Sequence, residues 1–415
     1  MHFALLCLPY QSHIAVFETL AVALARRGHR ISIVVNRGVE PMISTDLSVE
    51  AVEGTNHSQI AAIIARAARP AGPLGILRTV HDGVILSEAL CRHGPAMLRR
   101  LGVDAIVGDQ MEPAAGLIAR HLGCPHITLA CAVPMEQDDG VPLPFLSWPY
   151  DRSEKGLKRN AGGERVSRLL MTEQRRMIKR WSIRFGLEER CHDLRSCMSD
   201  RATIAQLTEG IDFPRCSNQS RLHLLGPLRH EGPLHDLPIE VDPNRPFVFM
   251  SLGTLQGHRY RLFRTAAKAC QALGVQMLVA HCGGLNARQE AGLGATWVTD
   301  YAPQRAVLAR ADLCITHGGI NTVMDALSAG TPVLALPIAF DQPGLGARIV
   351  HHGVGLRLSP HLLTERAMKA AITRLLGDPA YATRAWEVGR TIAGTGGLQA
   401  AVSLIETICG EPAAR

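Results

Sequence analysis

Two kinds of segment alternate along both halves of the chain: short runs of continuous apolar residues, and longer stretches with apolar residues at helical spacing. The runs include "HFALLCL", "ISIVVN" and "VDAIVGD" in the first half, and "PFVFMSLG", "VQMLVAHC" and "DLCITH" in the second. Strands that are apolar on both faces are typical of parallel sheets covered by helices on both sides. The pattern therefore predicts an α/β protein with two doubly wound, Rossmann-like domains.

A segment between the halves predicts the domain boundary. Residues 226–246, "GPLRHEGPLHDLPIEVDPNRP", are rich in Pro, Asp and His and have no periodicity. We place an N-terminal domain at 1–228, a linker at 229–245 and a C-terminal domain at 246–395. A helix and tail at 396–415 are expected to pack back toward the N-terminal domain. Doubly wound sheets bind ligands at the carboxyl ends of their strands, so the cleft between the domains is the expected site.

Composition and charge narrow the class of protein. The chain has 415 residues, is 47% hydrophobic and carries a net charge of +7, and residues 151–190 hold 12 basic against 6 acidic side chains. Aromatic residues make up only 4% of the chain, and no nucleic-acid-binding module is recognisable. The N-terminus lacks a basic signal region, and no continuous apolar run approaches the roughly 20 residues of a membrane span. We expect a cytoplasmic protein, soluble or peripheral on the inner face of the membrane.

Cysteine and histidine usage gives no sign of a metal site. The 11 Cys are scattered, mostly inside apolar runs, and no C-x-x-C occurs; the 18 His form no H-E-x-x-H. Buried, reduced thiols are the expectation, with no disulfide and no bound metal.

The stretch "CITHGGINT", residues 314–322, predicts a strand that feeds a helix through two glycines. A helix N-terminus has unpaired N–H groups and partial positive charge, and glycine lets an anion approach the backbone. His317, Asn321 and Thr322 add polar groups, so the turn fits a phosphate cradle. A capped turn with packing glycines fits the same residues, and the turn alone leaves both interpretations open.

A longer run gives this turn its context. Residues 300–342, "DYAPQRAVLARADLCITHGGINTVMDALSAGTPVLALPIAFDQ", resemble the donor-binding signature of the family 1 nucleotide-sugar glycosyltransferases, which have the GT-B fold with two domains facing a central cleft. "SLGT" at 251–254 and "PYQSH" at 9–13 extend the resemblance over nearly the whole chain. "DQMEPA", "SLGTLQGHRY", "AHCG" and "LALPIAFDQPG" are similar to the carotenoid-glycosylating branch, the bacterial zeaxanthin glucosyltransferases.

The resemblance implies a UDP-glucose site in the C-terminal half. The donor-binding residues it implies are Ser251, Thr254, Tyr301, Ala302, Gln304, His317, Gly319, Asn321, Thr322, Asp325, Asp341 and Gln342. Residues 301–304 would hold the uracil, Asp325 the ribose hydroxyls, and residues 317–322 the diphosphate with help from residues 251 and 254. Asp341 and Gln342 would bind the sugar hydroxyls. Tyr301 stands where plant members have Trp, and Asp325 where they have Glu.

His13 and Asp109 are the candidate catalytic pair. Each follows or ends a predicted strand at the same sheet edge, so His13 can act as a general base on an acceptor hydroxyl while Asp109 orients its ring. An unperturbed pKa near 6.5 would leave His13 mostly neutral. A satisfied surface His and a helix-capping Asp are the structural alternatives; the family places its catalytic pair at these positions.

The implied reaction is a direct displacement that converts an α-linked donor into a β-glucoside, with no metal. The implied acceptor is a hydrophobic hydroxylated molecule, zeaxanthin; a macrolide or a lipid-linked acceptor is the alternative within the fold. A nicotinamide oxidoreductase is disfavoured because "PYQSHIAVF" after the first strand has no glycine. A sugar-nucleotide epimerase or a non-catalytic carotenoid-binding protein would not need both motifs.

A membrane-resident acceptor raises the question of membrane contact. The apolar segment "GVPLPFLSWPY", residues 140–150, precedes the basic stretch, where Leu170, Met177 and Trp181 recur at helical spacing among Arg and Lys. This pattern predicts an amphipathic basic helix on an anionic leaflet. The alternative, with equal weight, is that the apolar loop lines the acceptor pocket and the basic face is simply solvated.

Overall fold

The computed structural model describes residues 1–69, 72–216, 221–230, 237 and 239–410. Within them, the strands are β1 (His2–Leu6), β2 (Arg30–Asn36), β3 (Ser48–Val52), β4 (Ala105–Asp109), β5 (His126–Ala130), β6 (Ala202–Ala205), β7 (Leu222–Leu224), β8 (Phe247–Ser251), β9 (Gln276–Ala280), β10 (Trp297–Thr299), β11 (Leu313–Thr316), β12 (Val333–Ala335) and β13 (Gly355–Arg357). They form two sheets, ordered β3-β2-β1-β4-β5-β6-β7 and β10-β9-β8-β11-β12-β13. Every recorded strand pair is parallel, which confirms the predicted pair of doubly wound α/β domains.

Helices cover the sheets. They are α1 (Gln11–Arg26), α2 (His57–Ala67), α3 (Gly72–Leu101), α4 (Pro113–Leu122), α5 (Glu154–Leu170), α6 (Thr172–Phe185), α7 (Leu194–Cys197), α8 (Gly253–Gln256), α9 (Tyr260–Ala272), α10 (Ala287–Ala291), α11 (Gln304–Leu308), α12 (Ile320–Ser328), α13 (Gln342–His351), α14 (Glu365–Gly377), α15 (Pro379–Ala393) and α16 (Gly397–Gly410), with a short 3₁₀ helix at Glu40–Met42. The central strands β1, β4, β8 and β11 are buried along their whole length. Their continuous apolar sequence therefore reflects helix packing on both faces.

The last helix belongs to the packing of the first domain. Leu398, Val402 and Ile405 of α16 lie in the same buried cluster as the apolar residues of β1 and α1. The segment expected to link the domains lies partly outside the described residues, at 231–236 and 238, and the tail from 411 onward lies outside them entirely. The exact domain limits stay predictions.

Helices α15 and α16 also bear on the expectation that no membrane span exists. Within the described residues, the segment Pro379–Gly410 is long and apolar enough by composition to cross a bilayer, with a mean hydropathy of 1.3. Ala, Ile, Leu and Val raise this average, although polar and charged residues divide them into short apolar runs. The segment is interrupted at residues 394–396, between α15 and α16. The apolar side of α16 packs into the core of the first domain.

The basic stretch departs from its predicted form. It is two helices, α5 and α6, that meet at Met171. Met177 and Trp181 of α6 are buried in the cluster beneath the N-terminal sheet with residues of α3 and α4. The prediction that they face a membrane is wrong, because a core-packed helix and a membrane-surface helix share the same amphipathic pattern.

A buried ion pair joins the domains. Arg348 of α13 donates from Nε to Asp212 Oδ1 at 2.7 Å, and both side chains are 1% exposed. The Arg348 guanidinium also lies over the Phe213 ring, 4.3 Å from its centroid. His352 contacts the Asp212 carbonyl through Nε2 at 2.7 Å. The N-terminal domain is thus fixed to the middle of α13.

Candidate active site

A cavity of about 2410 Å³ lies between the two sheets, at the carboxyl ends of their central strands. Thirteen of the fourteen residues singled out in the sequence line it, and the fourteenth, Asp109, lies behind His13. The residues predicted from the sequence come from distant parts of the chain, and the fold brings them together around one cavity.

The first feature of the cavity is the His13–Asp109 pair. His13 lies in the first turn of α1, and Asp109 is the last residue of β4, which pairs with β1. His13 Nδ1 is 2.5 Å from Asp109 Oδ2, and the second carboxylate oxygen accepts from the Met111 N–H at 2.9 Å. The Asp109 side chain is fully buried and that of His13 is 15% exposed. The carboxylate thus holds Nδ1, which leaves Nε2 as the ring nitrogen available to a substrate.

The pKa of His13 is not the ordinary value expected from sequence. Burial lowers the pKa of His13, but the charge and hydrogen bond of Asp109, together with Asp341 across the cleft, outweigh it, and the net shift is upward. Burial raises the pKa of Asp341, although a hydrogen bond from the Val133 N–H and the nearby His13 oppose the shift. The two domains therefore present a histidine and a carboxylate to the same part of the cavity.

The turn between β11 and α12 explains the two glycines. Gly318 has φ +85°, a left-handed conformation that side chains disfavour, and a Cβ on Gly319 would lie 2.5 Å from His317 Nε2. Gly319 is the N-cap of α12 and has no side chain to occupy the helix N–H groups. The glycines thus make room for the His317 ring beside an uncapped helix N-terminus, which can bind an anion.

His317 is neutral in this setting. Burial lowers the pKa of His317 to about 4, so at neutral pH the ring can donate one hydrogen bond but carries no charge. The N-terminus of α12 therefore contributes positive potential at this turn, and the His317 ring does not.

Three of the residues that the resemblance implies in donor binding form a chain of hydrogen bonds. Gln304, the first residue of α11, donates from Nε2 to Asp325 Oδ2 at 2.7 Å and accepts from Thr322 Oγ1 at 3.1 Å. Asp325 and Thr322 are neighbours one turn apart on α12. The carboxylate and hydroxyl are therefore held in one orientation before any ligand is present.

Two residues missed by sequence reasoning complete this network. Arg229 contacts Asp325 and Asn321, and Gln206 donates from Nε2 to Asn321 Oδ1 at 3.2 Å. Both precede the C-terminal domain. The one signal in the sequence was the position of Arg229 directly after "GPL", in a segment without periodicity.

The ring of Tyr301, at the position expected for the nucleotide base, is exposed to solvent. The Tyr301 side chain is among the most exposed large groups, at 80%, and lines the cavity beside the buried Ala302. An aromatic face without a partner is suited to stacking on a planar base. Ser251 ends β8, the strand that pairs with β11, and Thr254 lies in α8, directly after it.

Asp341 and Gln342 open α13 at the domain interface. Asp341 Oδ2 accepts from the Val133 N–H of the other domain at 2.9 Å. Gln342 Oε1 accepts from the Ile338 and Ala339 N–H groups, each at 2.8 Å. The side-chain oxygen of Gln342 therefore holds the loop that precedes α13. The side-chain NH₂ group is the part that can bind a sugar hydroxyl.

The apolar part of the cavity includes the loop at 140–150. Leu143, Phe145 and Trp148 of this loop line the cavity and are buried or half-buried. The loop is therefore part of the cavity wall, and its role in holding an acceptor stays a prediction.

Two groups of described residues have metal-ligand atoms within 4.8 Å of one another. In the first, His13 and Asp109 are paired, and burial raises the pKa of the Cys131 thiol well above its ordinary value. In the second, His281 Nδ1 accepts from the Leu285 N–H, so the proton lies on Nε2, which then has no lone pair for a metal. In both groups a candidate ligand atom is already engaged by the protein: His13 Nδ1 by Asp109 and His281 Nδ1 by the Leu285 N–H.

Comparison with known proteins identifies the family. A family described as "Erythromycin biosynthesis protein CIII-like, C-terminal domain" matches residues 287–397. Zeaxanthin glucosyltransferase of Pantoea ananas is 37% identical over 421 residues, 99% of this chain and 97% of the relative. Zeaxanthin glucosyltransferase of Pseudescherichia vulneris is 38% identical over 412 residues, 98% and 97% of the two chains. The solved glycotransferase of kitacinnamycin superposes with a TM-score of 0.79 at 20% identity, over 98% of this chain and 99% of that chain, and shows the same fold. Because two relatives match it at well above 30% identity over nearly their full length, the chain belongs to the zeaxanthin glucosyltransferase family of GT-B glycosyltransferases.

Proposed function

We propose that the protein transfers glucose from UDP-glucose to a hydroxyl group of zeaxanthin, with inversion at the anomeric carbon, to give a β-glucoside. The observation that carries the proposal is the His13–Asp109 pair, which faces an uncapped helix N-terminus and an exposed Tyr301 across one cavity. The names of the two full-length relatives support the acceptor.

The chemistry follows from the pair. His13 Nε2 takes the proton of the acceptor hydroxyl while the oxygen attacks the anomeric carbon from the face opposite the diphosphate. The new carbon–oxygen bond forms as the bond to the diphosphate breaks, so an α-linked donor gives a β-linked product. Asp109 keeps Nδ1 as the proton-bearing nitrogen and stabilises the imidazolium that forms.

The leaving UDP gains negative charge, which the N-terminus of α12 and the N–H groups of residues 319–322 are placed to stabilise. We infer that no metal is needed for this step, since the protein supplies these donors itself. His317 contributes a hydrogen bond rather than a charge, because its pKa is lowered to about 4.

The experiment is an assay with radiolabelled UDP-glucose and zeaxanthin, with product analysis for the anomeric configuration. A labelled β-glucoside is expected from the wild type and almost none from His13→Ala. Transfer to a macrolide or a lipid-linked sugar in place of zeaxanthin would reassign the acceptor. An α-linked product would overturn the displacement mechanism.

We also propose that the protein meets its acceptor at the inner face of the membrane. Two helix ends flank the apolar part of the cavity: the first turns of α3 expose Leu74 (66%), Ile76 and Leu77, and the last turns of α5 expose Val166 and Leu169 (74%). The neighbouring basic residues 165–180 would favour anionic lipid. This mouth surface, residues 74–77 and 166–169, replaces the buried face of α6 as the candidate contact.

Sedimentation with vesicles of anionic phosphatidylglycerol tests the contact. Leu74→Glu with Leu169→Glu should weaken the binding of the protein to vesicles, whereas Val350→Glu, at an exposed apolar position on α13, should leave it unchanged. Equal sedimentation of all three proteins would contradict the mouth surface. The same variants should glucosylate detergent-dispersed zeaxanthin normally.

A further inference from the structure

Arg229 connects the segment between the domains to the donor site. Its guanidinium donates from Nε to Asp325 Oδ1 at 3.1 Å, from Nη2 to Asn321 Oδ1 at 3.1 Å and from Nη1 to Gln206 Oε1 at 3.2 Å. The side chain is 24% exposed and lines the cavity. A planar guanidinium is the group that can contact three acceptors in fixed directions at once.

The contact with Asn321 fixes which end of its amide faces the cleft. Asn321 Oδ1 accepts from both Arg229 and Gln206, so the Nδ2 group points the other way and donates to the Ser12 carbonyl at 3.1 Å. An amide nitrogen has two hydrogens. One hydrogen of Asn321 Nδ2 is donated to the carbonyl of Ser12, the residue before His13. The orientation of the amide also sets the direction of the second hydrogen.

The contact with Asp325 fixes the carboxylate. Arg229 binds Oδ1 and Gln304 binds Oδ2, and the residue is 8% exposed. A buried carboxylate without a cationic partner is costly.

We propose that Arg229 is a positioning residue of the transfer reaction: it orients the carboxylate of Asp325 and the amide of Asn321, and so sets the affinity of the site for a nucleoside diphosphate. The inference rests on the donor site proposed above. It assigns part of the donor site to the interdomain segment rather than to the C-terminal domain alone.

The test is UDP binding and steady-state kinetics of Arg229→Met, which keeps the length and apolar stem of the side chain. Loss of hydrogen bonds to a charged partner should raise the Kd for UDP and the KM for UDP-glucose roughly 10- to 100-fold, with kcat little changed. Arg229→Lys keeps the charge but not the planar fork, so it should restore only part of the affinity. Arg245→Met is the matched control: Arg245 belongs to the same segment, donates to the Gly274 carbonyl from Nε at 3.1 Å and from Nη2 at 3.0 Å, and lies outside the lining of the cavity.

The outcomes separate positioning from a plain structural link. Wild-type UDP affinity in Arg229→Met, with only a lower melting temperature, would overturn the proposal, as would an equal loss of affinity in Arg245→Met. Losses in Arg229→Met and Asn321→Ala that do not add in the double variant would support it. If Arg229→Met does not fold, the Kd of Arg229→Lys for UDP is the test: a weakened affinity supports the proposal and a wild-type affinity overturns it. A wild type that binds thymidine diphosphate instead of UDP would overturn the donor, and the Arg229 comparison is then made with that nucleotide.

Discussion

The replacement of Asp109 by Asn tests the catalytic pair most directly. The Asp109 carboxylate is fully buried, lies 2.5 Å from His13 Nδ1 and is a main reason that the pKa of His13 is raised. An amide has similar shape but no charge, so it cannot stabilise the imidazolium and does not reliably keep the proton on Nδ1. Loss of effective general-base catalysis costs about 10² to 10⁴ in rate, which we expect for kcat in both Asp109→Asn and His13→Ala.

The pH profile of kcat/KM adds a readout that a structural role would not move. His13 is active when neutral, so activity falls as the pH drops through its pKa, and the raised pKa places this acid limb above pH 6.5 in the wild type. Removing the Asp109 charge lowers the pKa of His13. The acid limb of Asp109→Asn should therefore move to lower pH while the plateau falls.

The assay is steady-state transfer from radiolabelled UDP-glucose across pH 5 to 9, with UDP affinity measured by calorimetry. His29→Ala is a matched control, because the side chain of His29 is equally exposed and contacts Glu406 at 3.0 Å, far from the cavity. The two catalytic losses should not add, since the residues act as one unit. An unchanged plateau in His13→Ala, or an unmoved acid limb in Asp109→Asn, would refute the reasoning.

Three further predictions concern binding and stability. Tyr301→Ala should weaken UDP binding by about 1–3 kcal/mol through lost base stacking, and calorimetry giving an unchanged Kd would rule stacking out. Gly319→Ala should weaken UDP binding at least about tenfold because its Cβ would meet the His317 ring, whereas Gly377→Ala, whose Cβ meets nothing within 4 Å, should bind normally. Burial raises the pKa of Glu112 to about 7, so the folded state binds the extra proton and wild-type stability falls as pH rises from about 4.5 to 7. Glu112→Gln should remove this fall and be more stable than the wild type by roughly 3 kcal/mol at pH 8, with no gain at pH 4; a pH-independent difference in denaturant melts would contradict the assignment.

The sequence predicted those parts of the molecule that depend on local pattern and on sheet topology. The β11–α12 turn could be predicted because glycines, a histidine and an apolar strand adjoin one another in the chain. His13 and Asp109 could be paired because parallel strands end at one sheet edge. Arg229 could not be predicted, since its partners Asn321 and Asp325 lie 92 and 96 residues away and its own segment has no periodicity. The burial of Met177 in α6 could not be predicted either. Its packing partners come from other helices, and the amphipathic pattern of α6 does not show what covers its apolar face.

The ion pair between Arg348 and Asp212 has a consequence for how the cleft opens. Removing one partner of a buried ion pair costs about 3–5 kcal/mol, because the other charge is left uncompensated. We therefore expect relative motion of the domains to keep this contact. The axis of rotation then passes near the middle of α13, and Asp341 and Gln342 at the start of that helix move least. The opposite side of the cavity, where the open Tyr301 ring lies, moves most. Nucleotide entry and release are therefore expected on the Tyr301 side, while the end of the cavity at Asp341 and Gln342 stays closed.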